Sequence, residues 1–192
     1  MDFYAHNAVA VLAFPPDAGY PRLTLAVLAE LGDLLNEVRL SGLFRGVVIA
    51  SNSRSFATGA RIEEVASVEG VGARAFAQKG QQIFDRIASF PLAVVAAIRG
   101  YCLGGGLDLA LACHARVATY DASFGHPGAS LGLITGWGGT QRLTRLIGRA
   151  AATRLLLTAE RVPATQALTL GLVDELVSSQ DLVEQAAHRA LR

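Results

Sequence analysis

The chain contains little cysteine and no clustered metal ligands. Its two cysteines, Cys102 and Cys113, lie in apolar stretches and are not spaced as a CxxC pair. No run of histidine and cysteine has the spacing that tetrahedral zinc sites use. The sequence therefore argues against a disulfide-stabilised secreted domain and against a structural metal site, and both cysteines are predicted to be small apolar core residues.

Long hydrophobic runs and an excess of one charge are also missing. The most apolar stretches are interrupted by glycine or charge well before the roughly 20 residues that a membrane-spanning helix needs. The N-terminus has no basic segment followed by an apolar one, unlike a signal peptide. Lys and Arg number 17 against 16 Asp and Glu, and no basic run alternates with aromatics. We expect a soluble cytoplasmic protein that neither binds nucleic acid nor inserts into a membrane.

What the sequence does contain is enough apolar material for one core. With 192 residues, 52% of them hydrophobic, a single domain over residues 1–192 is expected. Short β-branched runs alternate with segments of helical periodicity, and this order favours an α/β fold with a mostly parallel sheet covered by helices. Strands are predicted at residues 9–14, 45–50, 93–98 and 115–119. Helices are predicted from residue 23, at 73–88, 107–114, 141–146 and 150–157, and from about residue 179, with a surface loop at 51–55 and a glycine-rich loop at 125–139.

Three consecutive glycines, Gly104, Gly105 and Gly106, separate a predicted buried strand from a predicted buried helix. The first N–H groups of a helix have no intrahelical partner, and the helix dipole attracts negative charge to that end. Such a turn can stabilise an enolate or a thioester oxyanion, but three glycines are equally compatible with simple close packing of strand and helix. Residues 56–62 end the loop after the second of these strands, where a second backbone donor could face the first.

Five segments, taken together and in order, resemble the crotonase (enoyl-CoA hydratase/isomerase) family. They are residues 55–62, 100–112 and 123–125, residues 131–133 with 138–143, and residues 167–173. The resemblance implies a crotonase-like spiral of ββα units and an acyl-CoA thioester as substrate. It implies no separate cofactor, since coenzyme A is part of the substrate. It also implies a homotrimer or a dimer of trimers, and the chain is expected to lack part of the usual C-terminal helical region.

The resemblance also assigns roles to particular residues. The oxyanion hole would consist of the backbone N–H groups of Ala60 and Gly105, and Asp108 would be the catalytic acid. The loop of residues 57–62 would line the CoA pocket. The residues that the resemblance implies for substrate and CoA binding are Ala57, Gly59, Arg61, Ile62, Gly104, Gly128 and Trp137.

The sequence departs from the family pattern at positions where family members carry acidic residues. Family hydratases have one glutamate after the triple glycine and a second after the Phe-Gly pair, and the corresponding residues here are Asp108 and Gly128. Gly136 and Arg61 also stand where family members carry aspartate. A single acid fits double-bond isomerisation or another enolate reaction better than hydration, which needs two proton-transferring groups. The alternative function is a CoA-ester binding or assembly protein with weakened catalysis.

Several side chains have two interpretations. Asp108 either transfers protons or stabilises the dipole of its helix, and His126 is either an acid-base group or a hydrogen-bonding group at the surface. Trp137 either forms a wall of the acyl pocket or packs as an ordinary core residue. His114 and Arg116 are predicted to interact with the C-terminal end of the buried helix.

Overall fold

The computed structural model describes residues 1–16 and 20–192. No helix in these two ranges is both long and apolar enough to cross a membrane. The strands are β1 (Asp2–His6), β2 (Val9–Phe14), β3 (Gly46–Ser51), β4 (Ala93–Ile98), β5 (Tyr101–Leu103), β6 (Ala115–Thr119), β7 (Ser123–Gly125), β8 (Arg161–Pro163) and β9 (Glu175–Val177). The helices are α1 (Leu25–Ser41), α2 (Ile62–Ala66), α3 (Val71–Ala88), α4 (Gly105–Ala112), α5 (Gly139–Ile147), α6 (Arg149–Thr158), α7 (Ala164–Thr169) and α8 (Leu182–Ala190).

The main sheet has six strands in the order β1, β2, β3, β4, β6, β9. Its first strand pair is antiparallel and the other four are parallel, which confirms the predicted mostly parallel α/β sheet. A second sheet has the order β5, β7, β8 and carries the glycine-rich turn at the end of β5. The turn and the large sheet are therefore joined through the short connection between β4 and β5.

The two faces of the main sheet pack against different helices. In β2 and β3, alternate residues such as Leu12 and Ile49 belong to a large cluster with the apolar faces of α1, α3 and α4. The residues between them, such as Val11 and Val48, pack against α8. Because successive side chains of a strand point to opposite faces, β2 and β3 are buried at every position.

Several helices, among them the first helix and the buried helix, begin at different residues from those predicted. The first begins at Leu25 rather than Leu23, because the Thr24 hydroxyl accepts a hydrogen bond from the Val27 N–H at 3.2 Å and caps the helix. The buried helix α4 begins at Gly105, two residues earlier than predicted. The glycine-rich segment also contains a 3₁₀ helix, Pro127–Leu131.

The prediction of a surface loop at residues 51–55 is wrong for its three serines. Ser51, Ser53 and Ser55 are buried, and the Ser55 hydroxyl accepts a hydrogen bond from the Tyr101 N–H at 3.1 Å. A serine can be buried here because a backbone donor of the adjacent segment satisfies it. The loop is thereby attached to β5, beside the glycine-rich turn.

His114 and Arg116, both predicted to interact with the C-terminal end of α4, make different contacts in the structure. His114 lies beyond α4, and its Nδ1 accepts a hydrogen bond from the Val94 N–H at 3.0 Å, so its predicted dipole role is wrong. Arg116 donates to the Cys113 carbonyl at the end of α4, at 3.0 Å, and also pairs with Asp174 at 3.0 Å. Both cysteines are buried free thiols, which confirms their predicted core position.

Candidate active site

The glycine-rich turn brings the start of α4 against the loop that follows β3. Gly104 has a φ of 53°, which glycine adopts without strain, and turns the chain from β5 into α4. A Cβ atom on Gly106 would lie 2.3 Å from the carbonyl oxygen of Ala57, so only glycine permits this approach. Ala57 is held in turn by β5, because its N–H donates to Tyr101 at 3.2 Å and its carbonyl accepts from Leu103 at 3.0 Å.

The backbone nitrogens of Ala60 and Gly105 come together at this corner. A Cβ atom on Gly105 would lie 3.5 Å from the Ala60 nitrogen, and one on Gly59 would lie 3.0 Å from the Gly105 nitrogen. Gly105 is the first residue of α4, where an N–H has no partner within the helix and the dipole is positive. Two backbone nitrogens from different segments are thus close to each other at a positively polarised helix end.

A cavity of about 670 Å³ opens at this corner, a size typical of small-molecule sites. Part of its wall is apolar and comes from α2 and α3, including Val65 and Phe76. Another part is polar and aromatic. There the Tyr20 ring lies 5.5 Å from the Tyr101 ring, and the Arg161 guanidinium lies 5.2 Å from the centroid of the same ring. The cavity is therefore suited to a ligand with one apolar and one polar portion.

Trp137 is both a packing residue and a wall of the cavity, so its two interpretations are compatible. Its ring is 3% exposed and lies 5.3 Å from the Phe76 ring and 5.8 Å from the Phe84 ring. Cβ atoms on Gly80 and Gly105 would lie 2.3 Å and 2.6 Å from this ring. The indole therefore occupies the space that two glycines leave open, and it borders the cavity at the start of α4.

Asp108 lies in the first turn of α4 and is 0% exposed. One carboxylate oxygen, Oδ2, accepts a hydrogen bond from the Thr135 hydroxyl. Burial raises the pKa of this carboxyl from 3.8 to about 7, although the hydrogen bonds from Thr135 and the Trp137 backbone and the charge of Arg142 act to lower it. Asp108 can thus exchange a proton near neutral pH, a property that a carboxylate serving only the helix dipole does not need.

His126 follows β7 and faces Asp108. It is 3% exposed, so the interpretation of His126 as a surface group is wrong. Its Nε2 lies 3.8 Å from Asp108 Oδ1, and burial lowers the pKa of the imidazole to about 4. Neither imidazole nitrogen has a hydrogen-bond partner among the residues that the structure describes, and the same holds for Asp108 Oδ1.

Most of the residues predicted for the site line the cavity. Ala57 and Arg61 are not part of the cavity wall, because Ala57 is buried beneath the turn and Arg61 is exposed at the N-cap of α2. The predicted residues that line the cavity are Gly59, Ala60, Ile62, Gly104, Gly105, Asp108, Gly128 and Trp137.

Other residues of the wall were not predicted. Thr135, which holds Asp108, lies one residue before Gly136, and nothing in its local sequence pattern marks it. Arg22 and Arg161 are distant in the sequence and contribute the positive charge of the polar part. Spatial proximity alone reveals the roles of these three residues, since neither arginine belongs to a glycine-rich or acidic motif and nothing distinguishes Thr135 within the predicted glycine-rich loop.

The fold and the site together define an α/β protein whose binding cavity lies at the glycine-rich start of a buried helix. The chain belongs to the enoyl-CoA hydratase/isomerase family, because the sequence model of that family matches residues 5–192. It has the crotonase fold, as its similarity to solved structures shows.

Similar proteins of known sequence and structure agree with the family assignment. A probable enoyl-CoA hydratase of Bacillus subtilis is 43% identical over 152 residues, which are 79% of this chain and 59% of that protein. The chain thus spans about 59% of the length of this curated relative. The enoyl-CoA hydratase structure from Bacillus anthracis is 34% identical with a TM-score of 0.91, over 98% of this chain and 74% of that one. The structure from Thermoplasma volcanium is 30% identical with a TM-score of 0.92, over 98% and 75% of the two chains.

Proposed function

We propose that the chain is an enzyme that binds an acyl-CoA thioester and forms its enolate. The observation that carries this proposal is a buried carboxyl group, Asp108, in the same helix turn and the same cavity wall as Gly105. Ala60 belongs to that wall as well. A proton-transferring group and two backbone donors beside one cavity are what the removal or addition of a proton next to a thioester requires.

The two N–H groups act on the thioester oxygen in this proposal. Negative charge develops on that oxygen when the enolate forms, and the positive end of α4 favours it there. Each well-placed donor in a site shielded from water contributes roughly 3 kcal/mol to the stability of the transition state. The donors belong to the backbone and are held by the packing of Gly106 against Ala57, so they do not reorganise during the reaction.

Asp108 moves the proton at the carbon atom next to the thioester. With a pKa of about 7, the carboxyl group can both give and accept a proton at neutral pH. The cationic side chains of Arg22 and Arg161 favour the phosphate-bearing part of coenzyme A at the polar part of the wall. The apolar wall that includes Val65 and Phe76 suits the acyl chain.

Two assays and a binding measurement test this proposal. Incubation of a saturated ester, butyryl-CoA, in D₂O reports enolate formation as exchange of the proton next to the thioester, because this exchange needs no further reaction. Hydration of crotonyl-CoA reports a complete reaction, and calorimetry reports CoA-ester binding. We expect binding and exchange. Tight binding without exchange or turnover for several acyl chain lengths would contradict the proposal and would favour a CoA-ester binding protein.

Self-association and location are part of the same proposal. We expect a homotrimer or a dimer of trimers, and light scattering at micromolar concentration measures this directly. A monomer under those conditions would contradict the expected assembly without affecting the exchange assay. A cytoplasmic location remains a prediction, which fractionation of the source cells would test.

A further inference from the structure

His126 is the second side chain of the cavity wall that can exchange protons readily. Among the described residues that line the cavity, Asp108 and His126 carry its carboxyl and imidazole groups. His126 lies between β7 and the 3₁₀ helix Pro127–Leu131, two residues before Gly128. The imidazole therefore stands close to the position at which the second family acid is missing.

Three buried polar atoms of this pair lack a partner within the described part of the chain. They are Asp108 Oδ1, His126 Nδ1 and His126 Nε2. A neutral imidazole offers one donor and one acceptor, and buried polar groups of native proteins are nearly always hydrogen-bonded. Because both residues line a cavity whose wall is largely apolar, a small polar ligand that enters between them is the natural partner of these atoms. A water molecule provides both a donor and an acceptor for them.

We propose that His126 is the base that activates water in this site, so that the enzyme adds water to the double bond of a 2-enoyl-CoA thioester. This inference rests on the proposed function, because it uses the same backbone donors and Asp108. It changes the expected reaction, since Asp108 alone favours isomerisation and Asp108 with His126 supplies the two groups that hydration needs.

The proposed step balances in atoms and charge. The water oxygen forms a bond to the carbon at position 3 while His126 takes one water proton. The electron pair of the double bond moves toward the thioester oxygen, where the N–H groups of Ala60 and Gly105 stabilise the enolate. Protonated Asp108 then donates its proton to the carbon at position 2, which gives the 3-hydroxyacyl thioester. His126 finally passes its proton to the Asp108 carboxylate, and both groups return to their starting state.

The electrostatics of the pair support this sequence of protonation states. Burial raises the pKa of Asp108 to about 7 and lowers that of His126 to about 4, so between these two values of pH the resting site holds a mostly neutral acid and a neutral base. When Asp108 loses its proton, its negative charge appears 3.8 Å from His126 Nε2 and favours the imidazolium ion. Each proton transfer therefore assists the other, although a neutral imidazole with a low pKa is by itself a weak base.

The replacement His126→Gln separates this inference from the proposed function. Glutamine keeps a polar side chain of similar length but cannot take up a proton. We expect crotonyl-CoA hydration to fall at least about 100-fold, while exchange of the butyryl-CoA proton in D₂O persists. The matched control is His188→Gln, because His188 is exposed on α8 and is not part of the cavity wall. Both reactions of this control should match those of the original protein.

Each outcome of these assays decides one of the two proposals. Exchange by the original protein without hydration of any 2-enoyl-CoA overturns the role of His126 and leaves the proposed function intact. Equal hydration by the original protein and His126→Gln also overturns it, as does a parallel loss of hydration and exchange. If His126→Gln does not fold, His126→Ala is assayed with added imidazole. Restored hydration supports the inference, and a folded His126→Ala protein whose hydration does not respond contradicts it.

Discussion

The start of α4 and the segment from Leu131 to Ile134 both line one cavity but differ in construction. In α4 the residues from Gly106 to Ala112 are all buried, and the turn before them is held by backbone contacts. The segment from Leu131 to Ile134 exposes its large apolar side chains. Leu131, Leu133 and Ile134 are 59%, 43% and 63% exposed, and all three border the cavity.

The comparison separates the two tasks of the site. Groups that must stabilise a developing charge need fixed positions, and the buried helix start provides them. Groups that only accommodate an acyl chain can differ in size without disturbing the core, and the exposed segment provides those. Substitutions in the first region should therefore affect catalysis, whereas substitutions in the second should mainly affect the choice of substrate.

The largest effect on turnover is expected for replacements of Gly105, where a proline variant can be compared with an alanine variant. Both replacements add a Cβ atom about 2.6 Å from the Trp137 ring, so both are best made together with Trp137→Leu. Proline is tolerated at the first residue of a helix but removes the N–H group, whereas alanine keeps it. In that background we expect Gly105→Pro to turn over the best acyl-CoA substrate about 10²–10³-fold more slowly than Gly105→Ala. Equal rates for two folded proteins would place the oxyanion hole elsewhere.

The next effect in size is expected for Asp108→Asn, which is nearly isosteric but cannot take up a proton. Turnover of the best acyl-CoA substrate should fall at least about 100-fold, while calorimetric binding of a CoA ester changes little. Asp121→Asn, at an exposed residue outside the cavity, is the matched control. An unchanged rate would assign the proton transfer to His126 or to no residue.

The same carboxyl group predicts a pH dependence of stability. Its folded pKa of about 7 lies above the unfolded value of 3.8, so its contribution is complete below pH 4 and is lost as the pH rises through about 7. Relative to Asp108→Asn, the original protein should lose up to about 4 kcal/mol of unfolding free energy between pH 4 and pH 8. Urea unfolding of both proteins measures this difference. A constant difference across that range would contradict the raised pKa.

His126 contributes to stability with the opposite sign. Its folded pKa of about 4 lies below the ordinary 6.5, so its contribution is present above pH 6.5 and is lost as the pH falls through about 4. Because both proteins retain His126, most of this contribution cancels when Asp108→Asn is subtracted from the original protein.

The smallest effect on stability is expected for Ile134→Thr in the exposed segment. The free energy of unfolding should change by no more than about 0.5 kcal/mol, because the side chain is largely solvated. The ratio of kcat/KM for long and short acyl chains should change, since Ile134 borders the cavity. Leu43→Thr, at an exposed residue outside the cavity wall, should leave that ratio unchanged. An unchanged ratio in both proteins would exclude the segment from substrate selection.

The longer elements were predictable because their patterns are local. Strands β2 and β4 were predicted with the bounds that the structure has, since each is a run of buried apolar residues. The short strands β5, β7, β8 and β9 were not predicted. With three residues each they carry too little periodicity, and they form because neighbouring segments provide hydrogen-bond partners.

The sequence by itself determined the family, the mostly parallel sheet and the glycine-rich turn, because motif order, apolar periodicity and the conformational freedom of glycine are local properties. Only the tertiary structure decided the environment of Asp108 and His126. Their separation of 3.8 Å and their burial arise from elements distant in the sequence, and desolvation then sets their proton affinities. The sequence specifies the identity of a titratable residue, whereas the pKa of that residue depends on the groups that the fold places around it.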